Sequence, residues 1–459
     1  MNYRIVIIGG GPGGYVAAIR AAKLGAKVAL VEKDQVGGTC LNWGCIPTKA
    51  LVSQAALVVA IRRSEELGIQ VGQIAVDYGR MKERKDQVVN KLVGGVQYLL
   101  KKNKVEVIQG TGRIVAPGQV KVDLKDGGEM VLDAENIILA TGTRPALIPA
   151  LGYDGQRVMT SDEILNLTEL PGEMLIIGGG VIGCEFACIF AELGVKITIV
   201  EALPTLLSTV DRDVQRQMQS ILKKRGITVK TKSKITAVTK TADKVMALLE
   251  NGEELVADKI LISIGRTMNL AEQGLAELGV QFNDRGAVQV DSRLRTSVPG
   301  IYAIGDITGK IQLAHVASAQ GMVAVDHIMG KEKEMDYSVV PSCIFTIPET
   351  AGVGLTTQEA EARGIKIKAG KFPFMASGKA VAMGETEGFV KILADPDTDR
   401  ILGVHILGPH ATDLIGEATL AIQLGATVEQ LAGTIHAHPT LSEAVLEAAE
   451  ALHGMAVHI

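Results

Sequence analysis

Two cysteines, Cys40 and Cys45, stand with four residues between them in GGTCLNWGCIP, residues 37–47. A close thiol pair suits a dithiol/disulfide redox couple, a metal site, or two inert core positions. Zinc needs about four Cys or His ligands at characteristic spacings. No further Cys lies near this pair, and the first histidine is His315, so no metal is expected. A redox couple is the reading these residues favour, with two buried free thiols as the alternative. Geometry sets a condition on it. A disulfide requires Cα atoms within about 7 Å, whereas five residues along a regular α-helix span about 8–9 Å. The segment between the cysteines must therefore be distorted. Gly44 permits that, and Pro47 suits the first turn of a helix running through Lys49–Arg62. The other three cysteines, Cys184, Cys188 and Cys343, read as core residues.

A second chemical segment lies near the C-terminus, HAHPTLSEAV at residues 436–445. His438 could act as a general base, and Pro439 after it restricts its backbone. A lone histidine is more often structural, and Glu443 has a structural reading too. Thr440-x-x-Glu443 ahead of a helix over Leu441–His453 forms a capping box. His438 matters only if the fold or a partner chain carries it to the cysteines.

The elements that could position a cofactor beside the thiols are repeated. Residues 5–14, IVIIGGGPGG, give a buried strand and then Gly9, Gly11 and Gly14 in G-x-G-x-x-G, followed by a helix to about Leu24 and a strand Val28–Val31 ending at Glu32. Residues 174–183, MLIIGGGVIG, repeat this with Gly178, Gly180 and Gly183, a helix, and strand Lys196–Val200 ending at Glu201. The first glycine precedes the acid by 23 positions in both copies. Such turns bring backbone N–H groups to a pyrophosphate at a helix N-terminus, and the acid accepts from a ribose diol. Two copies with equal spacing predict two bound dinucleotides. No basic residue follows Glu201 before Arg212, which favours NAD over NADP at the second site. Elsewhere, IILATGTRP (137–145) and ILISIGR (260–266) read as strands entering glycine turns. In GIYAIGD, Asp306 could bond a cofactor hydroxyl or cap the next helix.

The whole chain suits this reading. Its 459 residues allow roughly three domains of about 150 residues. A net charge of -4 gives no reason to expect nucleic acid or an anionic membrane. There is no signal-peptide pattern, the long apolar stretches are interrupted by glycine or Glu185, and no membrane span is expected. Few cysteines and a redox pair point to a reducing compartment, hence a cytoplasmic protein.

Taken together, GGTCLNWGCIPTK, both glycine turns, ATGTRP, GIYAIGD and HAHPTLSE closely resemble the pyridine nucleotide–disulfide oxidoreductase family, in the family's order and spacing, from residue 3 to about 455. The resemblance implies an α/β fold of two Rossmann-like domains plus a C-terminal α+β dimerisation domain: an FAD domain over 1–145, an NAD domain over 146–270, a segment 271–338 completing the FAD domain, and the dimerisation domain over 339–459. It implies FAD held by Gly9, Gly11, Gly14, Glu32, Lys49, Gly112, Thr141, Gly142, Asp306 and Ala314, and NAD held by Gly178, Gly180, Gly183, Glu201 and Gly265. Cys45 would lie against the flavin, Cys40 would face substrate, and Lys49 would pair with Glu185. His438 and Glu443 would reach the Cys40 of the other subunit of a homodimer. The implied activity is oxidation of protein-bound dihydrolipoamide with reduction of NAD+. The implied partner is a lipoyl-bearing acyltransferase core or the H protein of glycine cleavage. Glutathione reduction and a redox-silent FAD/NAD-binding scaffold are the alternatives. Two departures stand out: Thr48 replaces the usual Ser, and IGRTMN (264–269) lacks the family's common Pro.

Overall fold

The computed structural model describes residues 2–270 and 274–459. Two compact units result, one comprising residues up to Ala50, Gly79–Ala146 and Gly265–Asp336, the other comprising Leu51–Tyr78, Leu147–Ile264 and Tyr337–Ile459. Residues 271–273, where the returning segment is expected to begin, lie outside the described residues.

In the first unit the apolar run Asn2–Ile8 is the hub of a sheet. It pairs in parallel with Val28–Glu32 (Ile5 opposite Val28) and with Glu129–Leu139 (Ile5 opposite Asn136). Glu106–Ala116 and Ile301–Ala303 extend the parallel ladder on either side. The far ends of the two long strands, 106–116 and 129–139, pair antiparallel with Gln119–Leu124. These pairings make a small antiparallel segment over residues 110–133. Strand Val28–Glu32 is buried along its whole length, which explains its unbroken apolar sequence. Helix Pro12–Lys23 lies against helix Ala314–Ile328 through small residues, Gly13 and Ala17 meeting Ala317 and Gly321.

The second unit holds a five-stranded, wholly parallel sheet. Its order is Thr228–Lys230, Lys196–Val200, Glu173–Ile177, Lys259–Ile262, Val158–Met159. Beside it is a three-stranded antiparallel sheet over 235–257. The C-terminal part is a five-stranded antiparallel sheet with helices Ala411–Gln423 and Glu443–Leu452 packed on it. Its core includes Phe372, Phe374, Val390, Ile392, Val404 and Ile406, all 2% exposed or less. Each such buried side chain stabilises by about 1.5–3 kcal/mol. One charged cluster is buried in this unit. Lys391 Nζ donates to Asp211 Oδ1 (2.8 Å), Asp213 Oδ2 (2.9 Å) and Thr357 Oγ1 (2.7 Å). Asp211 is fully buried.

The stretch Gly38–Arg62 is long and apolar enough by composition to cross a membrane, which the interruptions noted in the sequence did not suggest. It is broken at Trp43–Gly44 into helices Gly38–Asn42 and Cys45–Arg62.

Candidate active site

The two glycine turns have matching geometry. Gly9 and Gly178 take φ +106 and +103, and a Cβ there would lie 2.3 Å from Ala140 O and 2.4 Å from Ser263 O. A Cβ on Gly14 or Gly183 would lie 1.8 or 2.0 Å from the carbonyl oxygen of the first glycine. The fold itself therefore demands the first and third glycines. The middle ones differ. At Gly11 the nearest atom would be Gly38 Cα at 3.9 Å, and at Gly180 nothing lies within 4 Å. Both cap their helices without any side-chain cap, so the first backbone N–H groups face outward. A glycine that the protein does not need, at a bare helix N-terminus, fits a pyrophosphate approaching the backbone.

The acids match as well. Glu32 accepts from Gly10 N–H (2.6 Å) and Asp34 N–H (2.8 Å), and Glu201 accepts from Gly179 N–H (2.6 Å) and Leu203 N–H (2.7 Å). Each oxygen keeps a lone pair for a ribose hydroxyl. Burial pushes Glu32 up, and the Asp34 and Gly10 N–H groups pull it back. One cation escaped the linear reading. The strand beside Lys196–Val200 brings Lys232 next to this loop, its N–H donating to Leu203 O (3.0 Å). Glu201 still occupies the position at which a 2′-phosphate would sit.

The cysteine segment is built on the first turn. Gly37 N–H donates to Gly10 O (2.8 Å). A Cβ on Gly38 would come within 2.6 Å of Gly11 Cα. The distortion expected between the cysteines is present. The short helix stops at Trp43 (φ -147, ψ 31), and Gly44 packs so closely that a Cβ would lie 2.8 Å from Thr39 O. Thr48 Oγ1 then donates to Gly44 O (2.7 Å) as the next helix begins, so Thr performs the local bond there. The Cys40 and Cys45 thiols are neighbours, and the closeness of Cys45, burial and the charge of Cys45 push Cys40 far above the ordinary thiol range, against an opposite pull from Lys49. Lys49 is one helical turn beyond Cys45, on the same face. Tyr15, which the sequence did not single out, lies beside this pair; burial and the charge of Cys40 push its phenol up. Its only sequence signal is its place directly after Gly14.

Asp306 lies in the 3₁₀ turn Gly305–Thr308 and caps no helix; its Oδ2 accepts from Thr143 Oγ1 (2.6 Å). Thr141 Oγ1 donates to Asn269 O (2.8 Å), and Gly142 (φ +65) follows. Gly112 lies in strand Glu106–Ala116, where a Cβ would meet Val31 Cγ1 at 3.1 Å. Ala314 opens helix Ala314–Ile328. Gly265 (φ +124) accepts from Ala146 N–H through its carbonyl. Glu185 is buried in helix Val181–Glu192 and accepts from Phe345 N–H (2.9 Å). Lys49 and Glu185 belong to different units. Cys184 and Cys188 are buried, and burial pushes the Cys188 thiol up to about 12.

His438 Nδ1 faces Glu443 Oε1 at 2.8 Å, and its ring is 78% exposed. The expected capping box is only half formed. Glu443 Oε2 accepts from Thr440 N–H (2.8 Å), but the Thr440 hydroxyl donates to Ala437 O. The helix starts at Glu443, two residues later than expected, because Leu441 and Ser442 make a tighter turn first. Although burial would raise it, the Thr440 N–H and His438 hold Glu443 below the usual carboxylate range. A second pair flanks it unannounced by any motif: His436 Nε2 faces Glu417 Oε1 at 2.9 Å. Among the described residues, no group of three His, Cys, Asp or Glu side chains is arranged to hold a metal.

Comparison with known proteins agrees with this geometry. Residues 3–321 match the pyridine nucleotide-disulphide oxidoreductase model, and residues 340–449 match that family's dimerisation domain. The chain is 47% identical over 471 residues to a dihydrolipoyl dehydrogenase of Bacillus subtilis (strain 168), covering 100% of this chain and 99% of that one. It is 47% identical over 448 residues to one of Chlamydia pneumoniae, covering 98% and 96%. Among solved structures it resembles LpdA from Mycobacterium tuberculosis (TM-score 0.92, 30% identity, 97% and 99% covered). It also resembles the HOCl-induced flavoprotein disulfide reductase RclA from Escherichia coli in its Cu(II) complex (TM-score 0.89, 31% identity, 99% and 99% covered). With two dinucleotide turns, a thiol pair seated on the first, and a dimerisation domain at its C-terminal end, the chain belongs to the pyridine nucleotide-disulphide oxidoreductase family, whose members of this kind use FAD and NAD.

Proposed function

We propose that this chain oxidises protein-bound dihydrolipoamide to lipoamide and reduces NAD+ to NADH. The observation that carries the reading is the docking of the Cys40–Cys45 segment on the first glycine turn, through Gly37 N–H to Gly10 O and Gly38 against Gly11. It sets sulfur chemistry beside one dinucleotide and leaves the second turn for the other. The similarity to dihydrolipoyl dehydrogenases supports the choice of substrate.

In the oxidised protein, Cys40 and Cys45 form a disulfide. A substrate thiol becomes nucleophilic only on losing its proton. Glu443 accepts at Nδ1 of His438, so that Nδ1 carries the hydrogen and Nε2 is left as the base. Served by His438 of the partner subunit, the substrate thiolate attacks Cys40, the Cys40–Cys45 bond breaks, and Cys45 leaves as a thiolate near Lys49. The second substrate sulfur then displaces Cys40, which departs as a thiol, in keeping with its raised proton affinity. Two electrons have moved from substrate to the protein thiols, and both substrate protons are accounted for on His438 and Cys40. When bound, FAD held by Glu32, Asp306 and the first turn supplies a two-electron acceptor, and NAD+ at Glu201 supplies the final one. Lys49 is assigned beside the flavin ring, with Gly112, Thr141, Gly142 and Ala314 against the rest of that cofactor and Gly265 against NAD. The lipoyl group arrives on an acyltransferase core or a glycine-cleavage H protein, in the cytoplasm.

Steady-state turnover decides between substrates. Dihydrolipoamide with NAD+ is expected to exceed glutathione with NADPH by orders of magnitude. The reverse preference would move the chain to another disulfide reductase, and no turnover with either would leave a cofactor-binding scaffold.

A further inference from the structure

Two passages of the chain, Thr141–Ala146 and Gly265–Asn269, are laced together in the first unit. Arg266–Met268 pairs antiparallel with Thr143–Pro145. Asn269 adds a side-chain donor to Thr141 O (3.0 Å), and its own N–H donates to Gly142 O (3.0 Å). One contact in this ribbon has a direction. Arg266 Nε donates to Thr143 Oγ1 (2.7 Å) and Nη2 donates to Thr143 O (2.9 Å). A guanidinium has donors only, and a hydroxyl has one hydrogen. Occupied as an acceptor by Arg266, the buried Thr143 hydroxyl has its hydrogen left for Asp306 Oδ2 at 2.6 Å. The turn that carries Asp306 is fixed from its other side, because Gly305 N–H donates to Oε1 of the fully buried Gln320 (2.6 Å).

We propose that Arg266 is a positioning residue for the flavin: through the Thr143 hydroxyl it fixes one oxygen of Asp306, so that the other is presented to a hydroxyl of the FAD side chain. The inference rests on the reading that FAD occupies the first site. Without Arg266 the Thr143 hydroxyl is free to rotate, and the Asp306 carboxylate turns with it. A hydrogen bond to a charged group is among the stronger ones a protein makes, so loss of this alignment is expected to weaken FAD binding about tenfold or more.

The test is a double-mutant cycle on the full chain, read as the FAD dissociation constant by quenching of flavin fluorescence during reconstitution. Arg266→Met and Thr143→Val are each expected to raise that constant about tenfold, and the double variant about as much as either single one. Thr143→Ser keeps the hydroxyl and is expected to bind FAD as the parent does, which loss of general packing would not predict. Multiplying effects in the double variant, a Thr143→Ser defect as large as that of Thr143→Val, or single variants within about twofold of the parent would each overturn the proposal. If Arg266→Met does not fold, Arg266→Lys paired with Thr143→Val serves the same cycle. Failure of the parent chain to bind FAD at all would instead remove the underlying functional reading.

Discussion

Replacing Glu443 with Gln gives a sharp test, because the carboxylate has two donors to satisfy. One oxygen accepts from Thr440 N–H and the other meets His438 Nδ1, both at 2.8 Å. A glutamine has one acceptor end and one donor end. With its oxygen toward Thr440, its NH2 faces Nδ1. The ring must then accept there, carry its hydrogen on Nε2, and lose its function as a base at that atom. Flipped, the amide preserves the tautomer but sets NH2 against the Thr440 N–H. Leaving a donor unpaired costs about 1–3 kcal/mol, or roughly 5- to 150-fold in rate. The exposed His438 ring lets water relieve part of this, which points to a loss of about tenfold in kcat. The assay is dihydrolipoamide–NAD+ turnover from pH 6 to 9, beside rapid-mixing reduction of the oxidised protein by NADH. The NADH reaction does not use His438 and is expected to hold within about twofold. Glu443 is held low, so the carboxylate is ionised across the histidine range and the acid limb of kcat/KM should fall with the slope of a single proton. A Glu443→Gln protein with parental turnover, or one equally slow with NADH, would refute this account of the pair.

Three further outcomes are expected. His438→Gln with FAD still bound should lower dihydrolipoamide turnover by about 10² or more, measured at saturating NAD+; near-parental turnover would remove it as the base. Gly180→Ala meets no protein atom within 4 Å, whereas Gly183→Ala puts a methyl 2.0 Å from Gly178 O. The first should keep the parental Tm yet raise KM for NAD+, and the second should lose thermal stability. Lys391→Met leaves Asp211 buried without its cation and should destabilise the fold by about 3–5 kcal/mol in urea unfolding. Burial alone would raise Asp211, but Lys391 and Thr357 hold it well below the carboxylate range. Its stabilisation is therefore complete above the unfolded carboxylate value of about 4 and lost as pH falls toward the lower folded one. The destabilisation caused by Lys391→Met should shrink in the same acid range.

The parts of the site that the sequence discloses are those whose cause is local. Gly9 and Gly14, like Gly178 and Gly183, are forced by contacts within their own turn or with the neighbouring strand end, so spacing reveals them. The break between Cys40 and Cys45 follows from helix dimensions alone, and it falls at Gly44. What the linear reading misses is held by distant partners. Thr143 and Asp306 are 163 positions apart, Arg266 and Thr143 are 123 apart, and neither separation leaves a pattern in sequence. Lys232 reaches the Glu201 loop only because the strand just before it, Thr228–Lys230, pairs in parallel with Lys196–Val200. The Thr440–Glu443 spacing invites a capping box, yet Glu443 answers to His438 as well, and the threonine hydroxyl turns to Ala437 instead.

Gly38 rests on Gly11 so closely that a methyl group on Gly38 would strike the Gly11 backbone. Anyone grafting the sulfur loop into another flavoprotein would have to transplant the phosphate turn along with it, since neither half keeps its backbone path without the other. For the same reason, laboratory evolution of one half should recover compensating changes in the other before anywhere else in the chain.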